Sequence, residues 1–198
     1  MIILEPNTGV ITQKLEPEPG FHFYGHAIFS GNGRYLISAE NHIRSGSGYL
    51  VVRDTENSYR VLARHPSYGI GPHEIKLSRD QDTLVIANGG IKTHPDKGRE
   101  KLNLDTMSPS LTYISLRTGA LLEQKRLPKE LHQLSIRHID LNHQDEVIIA
   151  MQYQGERTEN VPLIATHKRG EDLKVLWAPT NINHAMKHYC GSVCFSRP

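Results

Sequence analysis

The chain has 198 residues, 37% of them hydrophobic, with 23 basic and 21 acidic side chains and a formal net charge of +2, enough for one domain with a real core. Its mean hydropathy is -0.46, and no apolar run approaches the ~20 residues of a membrane helix, which argues against membrane insertion. The short basic runs at residues 97–101 and 125–129 are mixed with acids, Glu100 within the first and Glu123 and Glu130 flanking the second, so the clustered positive charge of a nucleic-acid-binding surface is missing.

In chain order the predicted elements are strands. Residues 2–4 and 10–15, joined by a turn at 6–9, form a hairpin. A repeating unit follows: a short strand, a tight polar turn, and an apolar strand ending in a small or polar residue. Its copies occupy residues 26–40, 74–88 and 136–151, and a fourth begins at 191–196. The turn-opening residues Ser30, Ser78, Asn142 and Ser196 lie 48, 64 and 54 residues apart, against roughly 40 to 50 for propeller blades. A polar, Pro-bearing insert at residues 91–109 accounts for the longest spacing. Each of the first three units is followed by a second hairpin: 49–53 with 59–64, 111–116 with 121–126, and 163–167 with 173–177. Their turns are rich in Asp, Asn and Gly.

Four antiparallel strands per repeat predict an all-β fold, a β-propeller with WD40-like blades. The propeller is partial: about three blades plus terminal strands. The divisions are 1–19 (last hairpin of a truncated blade), 20–64, 65–126, 127–180, and 181–198 (first strand of a further blade). Both ends read as interrupted blades, so a piece of a longer protein is expected, with closure of a small ring by one shared terminal blade as the alternative. Helical character is confined to residues 179–188. Met1 leads into no basic and long apolar region, so no signal peptide is expected. The two cysteines, Cys190 and Cys194, fall in the expected last strand. At strand rise they lie ~13 Å apart, beyond the ~7 Å span of a disulfide, and read as small core residues.

Twelve histidines are the compositional oddity. With the strands of a blade lettered A to D from the axis outward, the D-to-A and B-to-C connections share one face. His22, His26, His65, His73, His132, His138, His184 and His188 fall in or beside the former, and His42 and His94 in the latter. Only His143 and His167 fall elsewhere. Glu40, Asn41, Glu74, Asn88, Arg99, Lys101, Asp105 and Arg137 join the histidine face. Loops held by a rigid scaffold favour binding, and His with Glu ligates zinc, iron, copper or nickel. The candidate metal ligands are therefore His26, His73, His94, His132, His138 and Glu74, for a divalent or iron ion. Arg99, Lys101 and Arg137, with Asn41 and Asn88, are candidates for contacting an anionic group. Histidines that only satisfy buried backbone in the propeller channel are the structural alternative. His73 and Glu74 are adjacent in a strand and are expected to point to opposite faces. P-loop, dinucleotide, Gly-x-Ser-x-Gly and His-Glu-x-x-His patterns are missing, so no catalytic residue is assigned. A non-enzymatic binding module leads. A metal-assisted, lactonase-like hydrolase using Glu74 with His26 or His138 follows, and a purely structural scaffold is third.

Longer motifs add a resemblance. Phe23-Tyr-Gly-His26, Gly71-Pro-His-Glu74, Asn88-Gly-Gly-Ile91, residues 99–107, Leu131-His-Gln-Leu-Ser-Ile-Arg-His138 and residues 189–195 resemble the domain of unknown function 1513 family. The resemblance implies an exported, seven-bladed propeller of the bacterial periplasm, often with a twin-arginine signal. It also implies genes beside imelysin-like and dihaem-cytochrome-like proteins, hence periplasmic iron-acquisition proteins as partners, and it implies no activity. The chain departs from the family by lacking the signal, the first blade and the later blades, and by its two cysteines. An open propeller exposes two blade edges, so self-association is expected.

Overall fold

The computed structural model describes residues 1–196, and it is built from antiparallel hairpins. Strands β1 (Ile2–Leu4) and β2 (Ile11–Lys14) form the first hairpin. Three four-stranded meanders follow. The first contains β3 (Phe21–Phe29), β4 (Tyr35–His42), β5 (Ser47–Asp54) and β6 (Arg60–Ile70). The second contains β7 (Pro72–Leu77), β8 (Thr83–Asn88), β9 (Ser110–Ser115) and β10 (Leu121–Arg126), and the third β11 (Leu134–Leu141), β12 (Val147–Tyr153), β13 (Ile164–His167) and β14 (Lys174–Leu176). In each sheet every strand pairs with its neighbour in sequence. The fold is all-β, a partial propeller of three complete blades.

Burial explains why these segments are strands. Every residue of β8 and β9 is buried, because a middle strand is covered by blades on both faces and reads as a near-continuous apolar run. Side chains alternate across it. Leu84 and Ile86 enter the cluster with Ile37, Leu50 and Ile75 between the first two blades. Val85 and Ala87 enter the cluster with Ile136, Ile149 and Met151 between the second and third. Each such Leu or Ile contributes about 1.5–3 kcal/mol of burial, so the core is the stack of inter-blade layers. The outer strands β10 and β14 keep a partly exposed, charged pattern. The inner turns close alike: Ser30, Ser78 and Asn142 donate their backbone N–H to the carbonyls of Tyr35, Thr83 and Glu146, at 2.9, 2.9 and 3.0 Å.

Three expectations are corrected. Strand β6 continues to Ile70 rather than ending at residue 64, because Leu50 and Tyr49 of β5 go on pairing with His65 and Pro66. His65 is thereby a mid-strand residue, buried, with its Nε2 donating to the Leu116 carbonyl at 2.8 Å. Residues 191–196 form no strand. The third blade already holds its four strands, and the segment is tied down instead by a bridge from Tyr189 to Gln152 and by the Phe195 N–H donating to Asp140 Oδ2 at 2.9 Å. Cys190 is accordingly buried in a non-strand segment and Cys194 exposed, both as free thiols. The end of the predicted last turn, residues 197 and 198, lies outside the described residues. The expected helical turn is α1 (Thr180–Ala185). No helix among the described residues is long and apolar enough to cross a membrane.

Candidate functional site

The first strands of the three blades lie side by side, β3 against β7 and β7 against β11. Each breaks register with its second strand at the same level: between Phe23 and Ala27, between Pro72 and Glu74, and between Ile136 and His138. Such a bulge adds residues to one strand and re-aims their side chains. Counted back from the turn openers, His26, Glu74 and His138 occupy equivalent positions, four residues before Ser30, Ser78 and Asn142. His73 is the residue that the break in β7 leaves unpaired.

These four side chains meet. One ring nitrogen from each of His26, His73 and His138 lies within 4.8 Å of one from each of the others. The ring centroids are 5.3 Å apart for His26 and His73, 5.6 Å for His26 and His138, and 4.8 Å for His73 and His138. Glu74 spans the group: Oε1 is 3.6 Å from His26 Nδ1, and Oε2 is 3.2 Å from His138 Nδ1. Oε2 also accepts the Ile139 backbone N–H at 2.9 Å, which ties the second blade to the third. The expectation that His73 and Glu74 point apart is therefore corrected, because the register break turns two sequence neighbours toward one place. Gly25 makes the approach of the first blade possible. A Cβ there would stand 2.3 Å from the Pro72 carbonyl oxygen and 2.4 Å from that of His73.

The hydrogen-bonding pattern prepares the rings for a ligand. His73 Nδ1 donates to the Arg137 carbonyl at 3.1 Å, and His138 Nδ1 faces Glu74. The Nδ1 atoms of all three rings are thus turned toward oxygen acceptors, the contact by which metal-binding histidines are oriented. His138 Nε2 accepts the Tyr189 hydroxyl at 3.1 Å, a bond that a metal at this nitrogen would have to displace. Burial pushes the His73 imidazole down to about 3, helped by the Arg137 guanidinium and the neighbouring His138 and His26 rings. At neutral pH His73 is an uncharged ring with Nδ1 donating and Nε2 carrying its electron pair. That is the protonation state a metal requires. His26 leaves the cluster open to solvent, with 48% of its side chain exposed.

The remaining candidates are placed elsewhere. His94 caps a short 3-10 turn, its Nδ1 accepting the Asp96 N–H at 3.2 Å, and His132 donates to the Lys129 carbonyl at 3.0 Å. Neither joins the cluster. Asn88 is fully buried where the second blade meets the first, its Nδ2 donating to the Ser67 carbonyl of β6 and to Thr112 Oγ1 of β9. Asn41 is buried as well. Glu40 is no surface acid either: it is a buried partner of Arg53, with Oε1 2.6 Å from Nη2. Arg99 is exposed, with no side-chain hydrogen bond or ion pair among the described residues. Lys101 reaches Gln154 on the wall of a separate cleft. Arg137 lies beside His73, its Nε buried without a hydrogen-bond partner among the described residues. Sequence reasoning missed Tyr189, which the segment after α1 carries to His138, and Gly25.

The profile of a family described as "Protein of unknown function (DUF1513)" matches residues 1–198. No match is found among curated proteins. Among solved structures, the β-propeller domain of Cps50 (Swd1) from Myceliophteria thermophila is similar over 86% of this chain and 50% of that one, at 11% identity and a TM-score of 0.52. The β-propeller domain of the trilobed protease from Pyrococcus furiosus, described as having an open velcro topology, is similar over 78% and 43%, at 11% identity and a TM-score of 0.46. A eukaryotic initiation factor is similar over 64% and 26%, at 17% identity and a TM-score of 0.41. The chain spans half or less of the length of these structures, and the likeness is one of fold alone.

Proposed function

We propose, from the premise that this chain belongs to the DUF1513 family of proteins of unknown function, that it is a non-enzymatic binding module that holds a transition-metal ion at the propeller axis. His26, His73 and His138 are the ligands, and Glu74 orients them. The observation that carries the proposal is the convergence of three imidazoles from three successive inner strands, all with Nδ1 turned to an oxygen acceptor. Zinc–nitrogen bonds of about 2.0–2.1 Å put tetrahedral ligand pairs about 3.3 Å apart. From 4.8 Å or less, the rings reach that spacing by a closure of at most about 1.5 Å, a side-chain adjustment. Imidazole donors suit zinc, copper, iron and nickel. Calorimetric titration with zinc, iron(II) and copper(II) is expected to give one ion per chain at micromolar affinity or tighter. If the double variant His73→Ala/His138→Ala binds as the wild type does, the site is wrongly assigned.

A second reading keeps the same centre and adds chemistry. Three nitrogen ligands leave a coordination position open, as in catalytic zinc sites, and the exposed His26 side gives access to it. Chelator-sensitive turnover of a lactone or ester panel supports that reading, and its absence leaves the binding module. The same reading puts the module in the periplasm, with iron-acquisition proteins as partners, a setting that the family resemblance supports. Co-purification of such proteins with the wild type, but not with the double variant, is the expected result.

A further inference from the structure

A second feature of the third blade is used by neither reading. A cleft of about 890 Å³ lies between the segment that follows β12 and the turn that follows α1, with Lys101 reaching in from the insert. Its volume is that of a small-molecule site, and His26, His73 and His138 are not among its walls. The cleft is cationic. Lys101, Arg157 and Lys187 line it against a single carboxylate, Glu159, which already accepts the Tyr153 hydroxyl at 2.5 Å. The side chains of Arg157 and Lys187 make no hydrogen bond or ion pair among the described residues. Two uncommitted like charges at one cleft repel each other unless an anion lies between them.

The wall is also built to hold its shape. Asn183, 6% exposed, donates Nδ2 to Asn160 Oδ1 at 2.6 Å and to the Val161 carbonyl at 3.0 Å. Lys187 and His188 both stand in the left-handed region, at φ of 47° and 65°. They are held there by the Tyr153 N–H donating to the His188 carbonyl and by His188 Nε2 donating to the Glu159 carbonyl, both at 2.9 Å. Backbone strain of this kind persists where the surroundings over-determine it, and it clusters at ligand clamps.

We infer that this cleft is a binding site for a small multivalent oxyanion, clamped between Arg157 and Lys187 with Lys101 at its rim. Tyr189 belongs both to the cleft wall and to the histidine cluster, its hydroxyl 3.1 Å from His138 Nε2. A bound anion therefore sits one side chain from the proposed metal centre. The site itself is independent of that centre, and its test uses metal-free protein.

Chelator-treated protein is titrated calorimetrically with citrate and, separately, with inorganic phosphate. Saturable one-to-one binding is expected, weakened at least tenfold in Arg157→Glu/Lys187→Glu. It should stay within twofold in Arg126→Glu, an exposed β10 control. A tenfold preference for citrate assigns the cleft to an organic polyacid, and parity or a preference for phosphate assigns it to phosphate, both within the inferred class. Absence of saturable binding to either anion, or equal weakening by Arg126→Glu, overturns the inference.

Discussion

Glu74 separates two jobs that the structure gives to one side chain, and substitution tells them apart. Its Oε2 accepts the Ile139 N–H and faces His138 Nδ1, while Oε1 faces His26. Glu74→Ala leaves the amide of buried Ile139 without its acceptor, at a cost of about 1–3 kcal/mol. For a chain of this size that corresponds to roughly 2–12 °C of melting temperature. Glu74→Gln keeps an oxygen for the amide and removes only the charge that orients the imidazoles. Its melting point is expected within about 3 °C of the wild type, while zinc affinity falls about 10–100-fold, the usual loss when an orienting carboxylate is removed. Thermal denaturation of metal-free protein reads the first job and calorimetric zinc titration reads the second. Wild-type zinc affinity in Glu74→Gln would refute the view that this carboxylate prepares the rings.

Three further outcomes follow from the same geometry. Gly25→Ala places a methyl 2.3 Å from the Pro72 carbonyl, so β3 must move off β7. Stability is expected to drop by about 1–3 kcal/mol and zinc affinity on the order of tenfold; an unchanged denaturation midpoint would show that the strands do not touch there. His73 is held near 3 when folded against 6.5 for an ordinary histidine, so the unfolded chain binds more protons between those values. Its contribution is fully present above about pH 6.5 and is lost as the pH falls toward 3, with a slope below about 1.4 kcal/mol per unit because the ring is only partly shielded from water. Subtracting the stability–pH curve of His73→Gln isolates this slope, and a flat difference between pH 6.5 and 4 contradicts a buried neutral ring. His94→Ala and His132→Ala, which remove only local turn contacts, are expected to leave zinc affinity within about twofold, and a larger loss would place those rings in the site.

The blades were legible because their signals are local. A tight polar turn opened by Ser or Asn and followed by a doubly buried apolar strand identifies itself three times, at Ser30, Ser78 and Asn142. The site was less legible because its geometry depends on strand pairing. Strand alternation alone sends His73 and Glu74 apart, and the register break between Pro72 and Glu74 that reverses this exists only once β7 is laid against β8. Assigning histidines to a face also overstates proximity. His65 sits within β6 and bonds Leu116, while His94 and His132 serve the turns beside them. Residues 191–196 have the alternation of an inner strand, but a strand exists only as part of a ladder, and among the described residues no strand pairs with them.

The most direct test of the axial centre is a cobalt(II) titration followed in the visible. Cobalt substitutes for zinc in nitrogen sites and reports its ligands by its d–d bands. The account predicts bands that saturate at one equivalent per chain, are displaced by zinc, and vanish in His26→Ala, His73→Ala and His138→Ala alike. A spectrum indistinguishable from aqueous cobalt in the wild type, or bands that survive all three substitutions, would contradict it.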